Sequence, residues 1–293
     1  MESIINTSSA VSRRKFLTQS AIGAVGLTTF GLLACAGQSN KPVSIRVIAY
    51  NILKCTGWPV EHVEDESQIP ALIAQELSKY KPDIVNFSES PEESVVKQIA
   101  DLLQMDYVYF PSGGNWPGAV LTHHEILDSV NVPVVSGARP ETLFTRHWGR
   151  ATLRIAGSHT LTVHSAHLYP FDTPEGVAVR RQEIREIVKS METDRIADKK
   201  IIVIGDLNHT PDVEEYAQWM DAGFVDSFIA AGEGDGFTIR ADTPNKRIDY
   251  VLSRGLEASA GRPLFEGAFR TDPSVPDSFA LSDHLPYFAQ FDL

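Results

Sequence analysis

The run Leu281-Ser282-Asp283-His284-Leu285-Pro286 sets a histidine beside a carboxylate nine residues from the end of the chain. Upstream, acidic and amide residues stand at the ends of short apolar runs: Asn51, Glu89, Asp206, Asn208 and Asp249. These residue types suit one chemistry. Carboxylate oxygens hold a hard divalent cation, amides contact phosphoryl oxygens, and a histidine backed by a carboxylate handles a proton. Taken singly, each has a plainer reading. Glu89 could cap a helix starting after Pro91, and Asp206 could be a turn residue at a strand end. Asp249 is harder to explain that way, because a carboxylate between Ile248 and Tyr250 needs a partner.

The elements that must position these residues can be read from periodicity. Ser44 to Tyr50 alternates and stops at Asn51, as a strand would. Ile69 to Tyr80 has helical spacing, with Pro70 tolerated in the first turn. Asp83 to Ser88 is a short apolar run ending at Glu89, and Glu92 to Leu103 reads as a second helix. Tyr107–Phe110, Ala119–Thr122, Ala151–Ile155 and Leu161–Ala166 read as strands. Thr173 to Met191 is an amphipathic helix, Lys200 to Ile204 a strongly apolar strand ending in Gly205-Asp206, and Val213 to Met220 a short helix. Ile248–Leu252 and Tyr287–Phe291 complete the pattern. Several strands follow one another directly, so antiparallel pairing is required. The order predicts an α/β (α+β) four-layer sandwich: two mixed β-sheets packed face to face and flanked by helices. The candidate residues fall on loops at one edge, where a rigid scaffold can aim them.

In that order, Tyr50-Asn51, Ser88-Glu89, Ser165-Ala166-His167-Leu168, Gly205-Asp206-Leu207-Asn208, Arg247-Ile248-Asp249-Tyr250 and Ser282-Asp283-His284 resemble the endonuclease/exonuclease/phosphatase superfamily, whose fold is DNase I-like. The likeness runs from Val43 to Leu293. It implies that Glu89 is the principal carboxylate for Mg²⁺ or Mn²⁺, with Asn51 and Asp283 completing the metal environment. Asp206 would orient or deprotonate the attacking water, and Asn208 would donate its amide to a phosphoryl oxygen. His284 would be the base or charge stabiliser, with Asp249 fixing its tautomer. His167 would contact the phosphate from the other side.

Other positions carry weaker signals. Arg180-Arg181-Gln182 could touch substrate or form a solvated helix face, and Arg150 precedes a strand from which it could reach substrate. A zinc site from His123, His124, His147 and His164 lacks metal-ligand spacing. Substrate choice is expected in Pro111–Pro117, His167–Pro174 and Gly232–Pro244, the first of which contains Trp116.

The first forty residues read as an address. Ser12-Arg13-Arg14-Lys15-Phe16-Leu17 precedes an uncharged apolar run, Ala21 to Ala34, which is shorter than a spanning helix needs. The paired arginines resemble a twin-arginine export signal. Leu32-Leu33-Ala34-Cys35 resembles a lipobox, which would make Cys35 the lipidated first residue; ordinary cleavage releasing a soluble protein is the rival. Residues 1–35 are thus expected to be a signal peptide, 36–42 a linker and 43–293 the folded domain. The protein is expected to be exported, either periplasmic or held at a membrane through Cys35.

Removing that leader leaves Cys55 without a partner, so a structural disulfide is not expected, and Cys55 reads as a packing residue. A content of 43% hydrophobic residues suffices for a large core. The formal net charge of -12 disfavours tight binding to long nucleic acid, which usually needs a basic stripe. The expected function is a metal-dependent hydrolase of phosphate esters, a phosphodiesterase acting outside the cytoplasm. Its alternatives are an extracytoplasmic DNase I-like endonuclease and a non-catalytic binding lipoprotein. The last would be expected to lose Asp206 or His284, and the chain keeps both.

Overall fold

The computed structural model describes residues 44–112, 114–131, 143–155, 157, 159–193 and 200–293. The leader, the linker and Cys35 lie outside the described residues. Two six-stranded sheets carry the fold. The first contains β1 (Ser44–Asn51), β2 (Ile84–Ser88), β3 (Asp106–Phe110), β4 (Gly118–Thr122), β11 (Glu257–Pro263) and β12 (Tyr287–Asp292), in the order β11-β12-β1-β2-β4-β3. The second contains β5 (Glu125–Val130), β6 (Trp148–Ile155), β7 (His159–Ala166), β8 (Lys200–Asp206), β9 (Val225–Asp226) and β10 (Asp249–Arg254), in the order β5-β6-β7-β8-β10-β9. In each sheet one central pair is parallel, β1 with β2 and β7 with β8, and the remaining neighbours are antiparallel. The mixed-sheet expectation holds.

Alternation along each strand builds the layers. Between the sheets, Val47, Ala49, Ile84 and Val120 meet Leu153, Val163, Ile202, Ile204 and Val251. The other face of the first sheet presents Ile48, Tyr50, Val85 and Phe87 to helices α1 (Ile69–Ser78) and α2 (Glu93–Leu103). The outer face of the second presents Ile201, Val203, Tyr250 and Leu252 to α3 (Pro174–Thr193) and α4 (Glu214–Asp221). A short α5 (Ser227–Ala231) follows β9. Four layers result, as the sequence pattern predicts. Cys55 is buried in the first helix-facing core as a free thiol, and burial pushes its pKa up to about 12, so it is a packing residue.

Three strands escape the sequence reading: β5, β9 and β11. Each lies at a sheet edge, where one side of the strand has no neighbour to reward apolar residues. β5 is largely exposed, β9 has two residues, and β11 is built from small residues and an irregular register between Ala258 and Ala260.

Behind the second sheet, buried histidines act as neutral acceptors. The Trp148 indole N–H donates to Nδ1 of His164 at 3.2 Å, and the Trp219 indole N–H donates to Nε2 of His209 at 3.2 Å. An indole is only a donor, so the histidine nitrogen facing it carries no proton. Burial lowers the pKa of His147, His164 and His209 to about 3. The sign of the linkage follows. In the unfolded chain these rings take protons as pH falls through about 6.5, while the folded rings do so only near 3. Their contribution to stability is therefore present above pH 6.5 and is lost as pH falls towards 3. We expect His164→Gln to remove one such site. Its unfolding free energy relative to wild type should improve by roughly 1.4 kcal/mol per pH unit as pH is lowered below about 6. Urea titrations of both proteins at pH 7, 6 and 5 measure this, and parallel curves would show that His164 is not the neutral acceptor described.

Candidate active site

The site forms where strands of both sheets end. Asn51 closes β1, Glu89 follows β2, His167 follows β7, Asp206 closes β8, and Asp249 opens β10. Backbone bonds carry this order past the strand ends. Leu168 N–H donates to the Asp206 carbonyl at 3.0 Å, and Leu207 N–H donates to the Ile248 carbonyl at 2.9 Å. Asp249 lies directly opposite Asp206 across the antiparallel pair of β10 and β8.

Gly205 makes the approach at Asp206 feasible. Its φ is +138°, and a Cβ there would sit 2.1 Å from the Ala166 carbonyl oxygen. A side chain would push β8 off β7 just where Asp206 must turn inward.

Asp206 is the focus. Its Oδ2 accepts from the Asn51 amide at 3.1 Å, and it faces Nε2 of His167 at 3.6 Å and Nε2 of His284 at 3.7 Å. The last two separations are too long for direct hydrogen bonds, yet one further atom could touch all three groups. Oδ1 of Asp206 accepts from the Asn208 N–H at 3.1 Å. Nδ1 of His284 donates to Oδ2 of Asp249 at 2.8 Å, which leaves Nε2 as the nitrogen turned to the site. Thr238 sets both partners. Its hydroxyl accepts from the N–H groups of Ile248 and Asp249 at 3.3 and 3.2 Å, and its carbonyl accepts from Leu285 N–H at 2.7 Å.

Burial and charge fix the protonation pattern. Burial, then Asp249 and Glu89, raise the pKa of Asp206 against the lowering effects of His284 and Asn51. Burial alone would lower His284, but Asp249, through charge and hydrogen bond, then Asp206 and Asp283, outweigh it and hold the ring charged. His167 goes the other way. Burial, His147, Arg146 and His284 hold its pKa well below the ordinary value, so it is neutral. Glu89 is raised by burial and by Asp283, and lowered by the Asn51 amide, His284 and Arg146.

All eight residues singled out from the sequence therefore fall at one end of the sandwich. Asn51, His167, Asp206, Asp249 and His284 are joined by the contacts above, and Asn208 joins through its backbone. The Asn208 side-chain amide donates to the Leu168 carbonyl at 2.9 Å, so one of its two hydrogens is committed to the loop. Glu89 and Asp283 are tied in through charge.

Elsewhere the sequence reading needs correction. Arg180 is neither a solvated helix residue nor free for substrate. It is buried and bonded to Glu215, Asp172 and the Tyr169 and Phe171 carbonyls, where it braces the loop after His167. Arg150 pairs with Asp128 at 3.5 Å on the edge strand. Among the described residues His123, His124, His147 and His164 form no metal-binding cluster; His147 bonds Ser165 and His164 bonds Trp148. Two contributors were not read from the sequence. Thr238 sits in a loop without periodicity, and Arg146, in the run Thr145-Arg146-His147, has no local signal to separate it from a surface arginine. Its charge acts on Glu89 and on Asp206.

The donor set fits a divalent cation. Four acids, Glu89, Asp206, Asp249 and Asp283, gather against one charged histidine, and Oδ1 of Asp249 is buried without a partner. Asp206, Asp249 and His284 offer ligand atoms within 4.8 Å of one another. His284 spends Nδ1 on Asp249, however, so that trio also works as a proton-handling unit. Glu89, Asp283 and Oδ1 of Asn51 supply the hard oxygens that Mg²⁺ and Mn²⁺ prefer.

A family model described as the endonuclease/exonuclease/phosphatase family matches residues 49–284. The chain belongs to that family. The match brackets the site, from the residue before Tyr50-Asn51 to His284. A search of curated proteins gives no match. Among solved structures, an endonuclease/exonuclease/phosphatase from Bacteroides vulgatus is similar with a TM-score of 0.69 at 17% identity, covering 86% of this chain and 99% of that one. A mannosyl-6-phosphatase from Bacteroides thetaiotaomicron gives 0.68 at 16% identity, covering 85% and 100%. A truncated TDP2 from Caenorhabditis elegans gives 0.60 at 17% identity, covering 85% and 98%. At these identities the likeness establishes the DNase I-like fold, and the family makes this chain a hydrolase of the phosphoesterase or nuclease type.

The packing at Gly205 should be sharply intolerant. Gly205→Ala is expected to cost on the order of 3 kcal/mol in urea unfolding. Gly157→Ala, where φ is +78° and no atom lies within 4 Å of the added Cβ, should cost only about 1 kcal/mol. Equal costs would mean that β7 and β8 do not need the close approach.

Proposed function

We propose that the protein is a divalent-metal-dependent hydrolase of phosphate esters, a phosphodiesterase acting outside the cytoplasm. The observation that carries this is the convergence on Oδ2 of Asp206 of the Asn51 amide, His167 and an Asp249-backed His284. Asn51, Glu89 and Asp283 would hold Mg²⁺ or Mn²⁺. When bound, the cation neutralises charge on the phosphoryl oxygens and so favours attack by water.

The residues divide the remaining work. Asp206, raised by burial beside Asp249, takes the proton of the attacking water. His284 keeps a proton on Nε2 because Asp249 holds Nδ1, and it donates that hydrogen bond to a phosphoryl oxygen as charge builds. Asn208 places its second amide hydrogen on the same group, its first being held by Leu168. His167, neutral and buried, meets the phosphate from the β7 side. Water attacks in line, the opposite P–O ester bond breaks, the departing oxygen takes a proton from solvent, and no covalent enzyme intermediate is needed.

Asp206→Asn and His284→Ala should each lower turnover at least about a hundredfold while the protein still unfolds cooperatively. Hydrolysis of a model phosphodiester, plasmid DNA and sphingomyelin, with Mg²⁺, with Mn²⁺ and with EDTA, gives the substrate order. Activity undiminished in EDTA would overturn the metal; plasmid DNA as the best substrate would replace this reading with an endonuclease.

The extracytoplasmic site of action rests on the twin arginines and on Leu32-Leu33-Ala34-Cys35. We propose that Cys35 carries the lipid anchor. Intact mass of the protein from membranes should show the chain beginning at a modified Cys35, and a free N-terminus at Gly37 would remove the anchor.

A further inference from the structure

A pair of cations beside the acidic centre has no role in the scheme above. Lys54 Nζ lies 4.0 Å from the centroid of the Trp116 ring, and the Arg146 guanidinium lies 5.0 Å from it. The backbone that carries the indole is held from both sides. The Trp116 backbone N–H donates to the Ser112 hydroxyl at 2.9 Å, and the Pro117 carbonyl accepts from Ser90 N–H at 2.9 Å. Both cations border the site. Lys54 N–H donates to the Glu89 carbonyl at 2.8 Å, and the charge of Arg146 acts on Glu89 and Asp206.

Neither cation makes an ion pair among the described residues, whereas Arg46, Lys79, Lys97, Arg154, Arg181 and Arg247 each do. Arg146 is half-buried, and its Nε is buried without a hydrogen-bond partner. A partly desolvated cation without a direct ion-pair partner is costly. Stacking on an indole offsets part of that cost and fixes the donors in space. An anion completes it, because guanidinium and ammonium groups give phosphate strong charge-assisted bonds. One cation would serve the phosphate being cleaved. Two cations on one indole suit a further anionic group.

We propose that Lys54, Trp116 and Arg146 form a second anion subsite that takes another phosphate group of the same small substrate. The inference rests on the phosphoesterase reading and narrows it: the preferred substrates are small organic phosphates carrying at least two phosphate groups. The acidic chain favours such a molecule over a polynucleotide, which would need a longer basic track.

The test uses the purified full chain and the variants Lys54→Gln, Arg146→Gln and Arg146→Lys. Hydrolysis of the methyl diester of glucose 6-phosphate, of the same diester carrying a 1-phosphate, and of oligothymidylate is measured with Mg²⁺. Binding of inorganic pyrophosphate is measured separately by calorimetry in EDTA. Wild type should prefer the diester carrying the 1-phosphate. Each Gln variant should lower that preference about tenfold, through KM more than kcat, and weaken pyrophosphate binding about tenfold. Arg146→Lys should recover part of both losses. Equal losses on the two glucose diesters, or unchanged pyrophosphate binding, would overturn the subsite. A loss confined to oligothymidylate would reassign it to a polynucleotide and overturn the small-molecule reading. Failure of wild type to hydrolyse any phosphate ester would count against the proposed function instead, and the pyrophosphate arm would still decide the subsite.

Discussion

Two carboxylates face each other across neighbouring strands, and the rest of the site is arranged around that conflict. Asp206 and Asp249 are register partners, and both are buried. Like charges directly opposite destabilise a sheet, and burial removes the water that would screen them. His284 makes the pair tolerable. It donates to Asp249 at 2.8 Å and turns its other nitrogen to Asp206 at 3.7 Å. A single imidazolium cannot neutralise Glu89 and Asp283 as well, and Arg146 adds one further positive charge against these four acids. The fold therefore holds more negative charge than its own cations balance, which is the electrostatic condition for binding a cation and then a phosphate.

That conflict explains the support His284 receives. The segment around it has no place inside a strand, so its position comes from single bonds: its N–H to the Ser282 hydroxyl at 3.2 Å, and Leu285 N–H to the Thr238 carbonyl at 2.7 Å. Thr238 also accepts from Asp249 N–H. One threonine thus locks the distance between histidine and carboxylate, although it touches neither side chain's reacting atoms. Beneath it, β8 is apolar on both faces, so burial alone does not choose its register. Gly205 and Asp206 choose it, the first by fitting only against Ala166 and the second by reaching the site.

The parts of this structure that were legible in the sequence share one property: their energetics are local or periodic. Central strands such as β1, β2 and β8 are rewarded on both faces, and their apolar runs show it. Edge strands β5, β9 and β11 are held by hydrogen bonds on one side, which leave little trace in residue type. The site divides in the same way. Asp206 and His284 were visible because strand ends and a Ser-Asp-His run mark them, and a family resemblance ordered them. Arg146 and Thr238 act through neighbours distant in sequence, so nothing near them in the chain announces the role. Arg180 was misread because a helix face looks the same whether its partner is water or a buried glutamate.

Asn51 shows how the two halves of the site are kept from competing. Its side chain stands between the proton-handling carboxylate and the oxygen donors, giving a hydrogen bond to Asp206 at 3.1 Å and lowering Glu89 as well. Its own carbonyl oxygen is oriented by Leu53 N–H at 3.1 Å. A carboxylate at this position would offer a cation a stronger ligand, yet it would add a fifth negative charge and lose both donated hydrogen bonds. An amide supplies an oxygen for the cation and a donor for each acid without changing the charge of the site. The neutrality of Asn51 therefore sets how closely Asp206 and Glu89 can be held before any cation arrives.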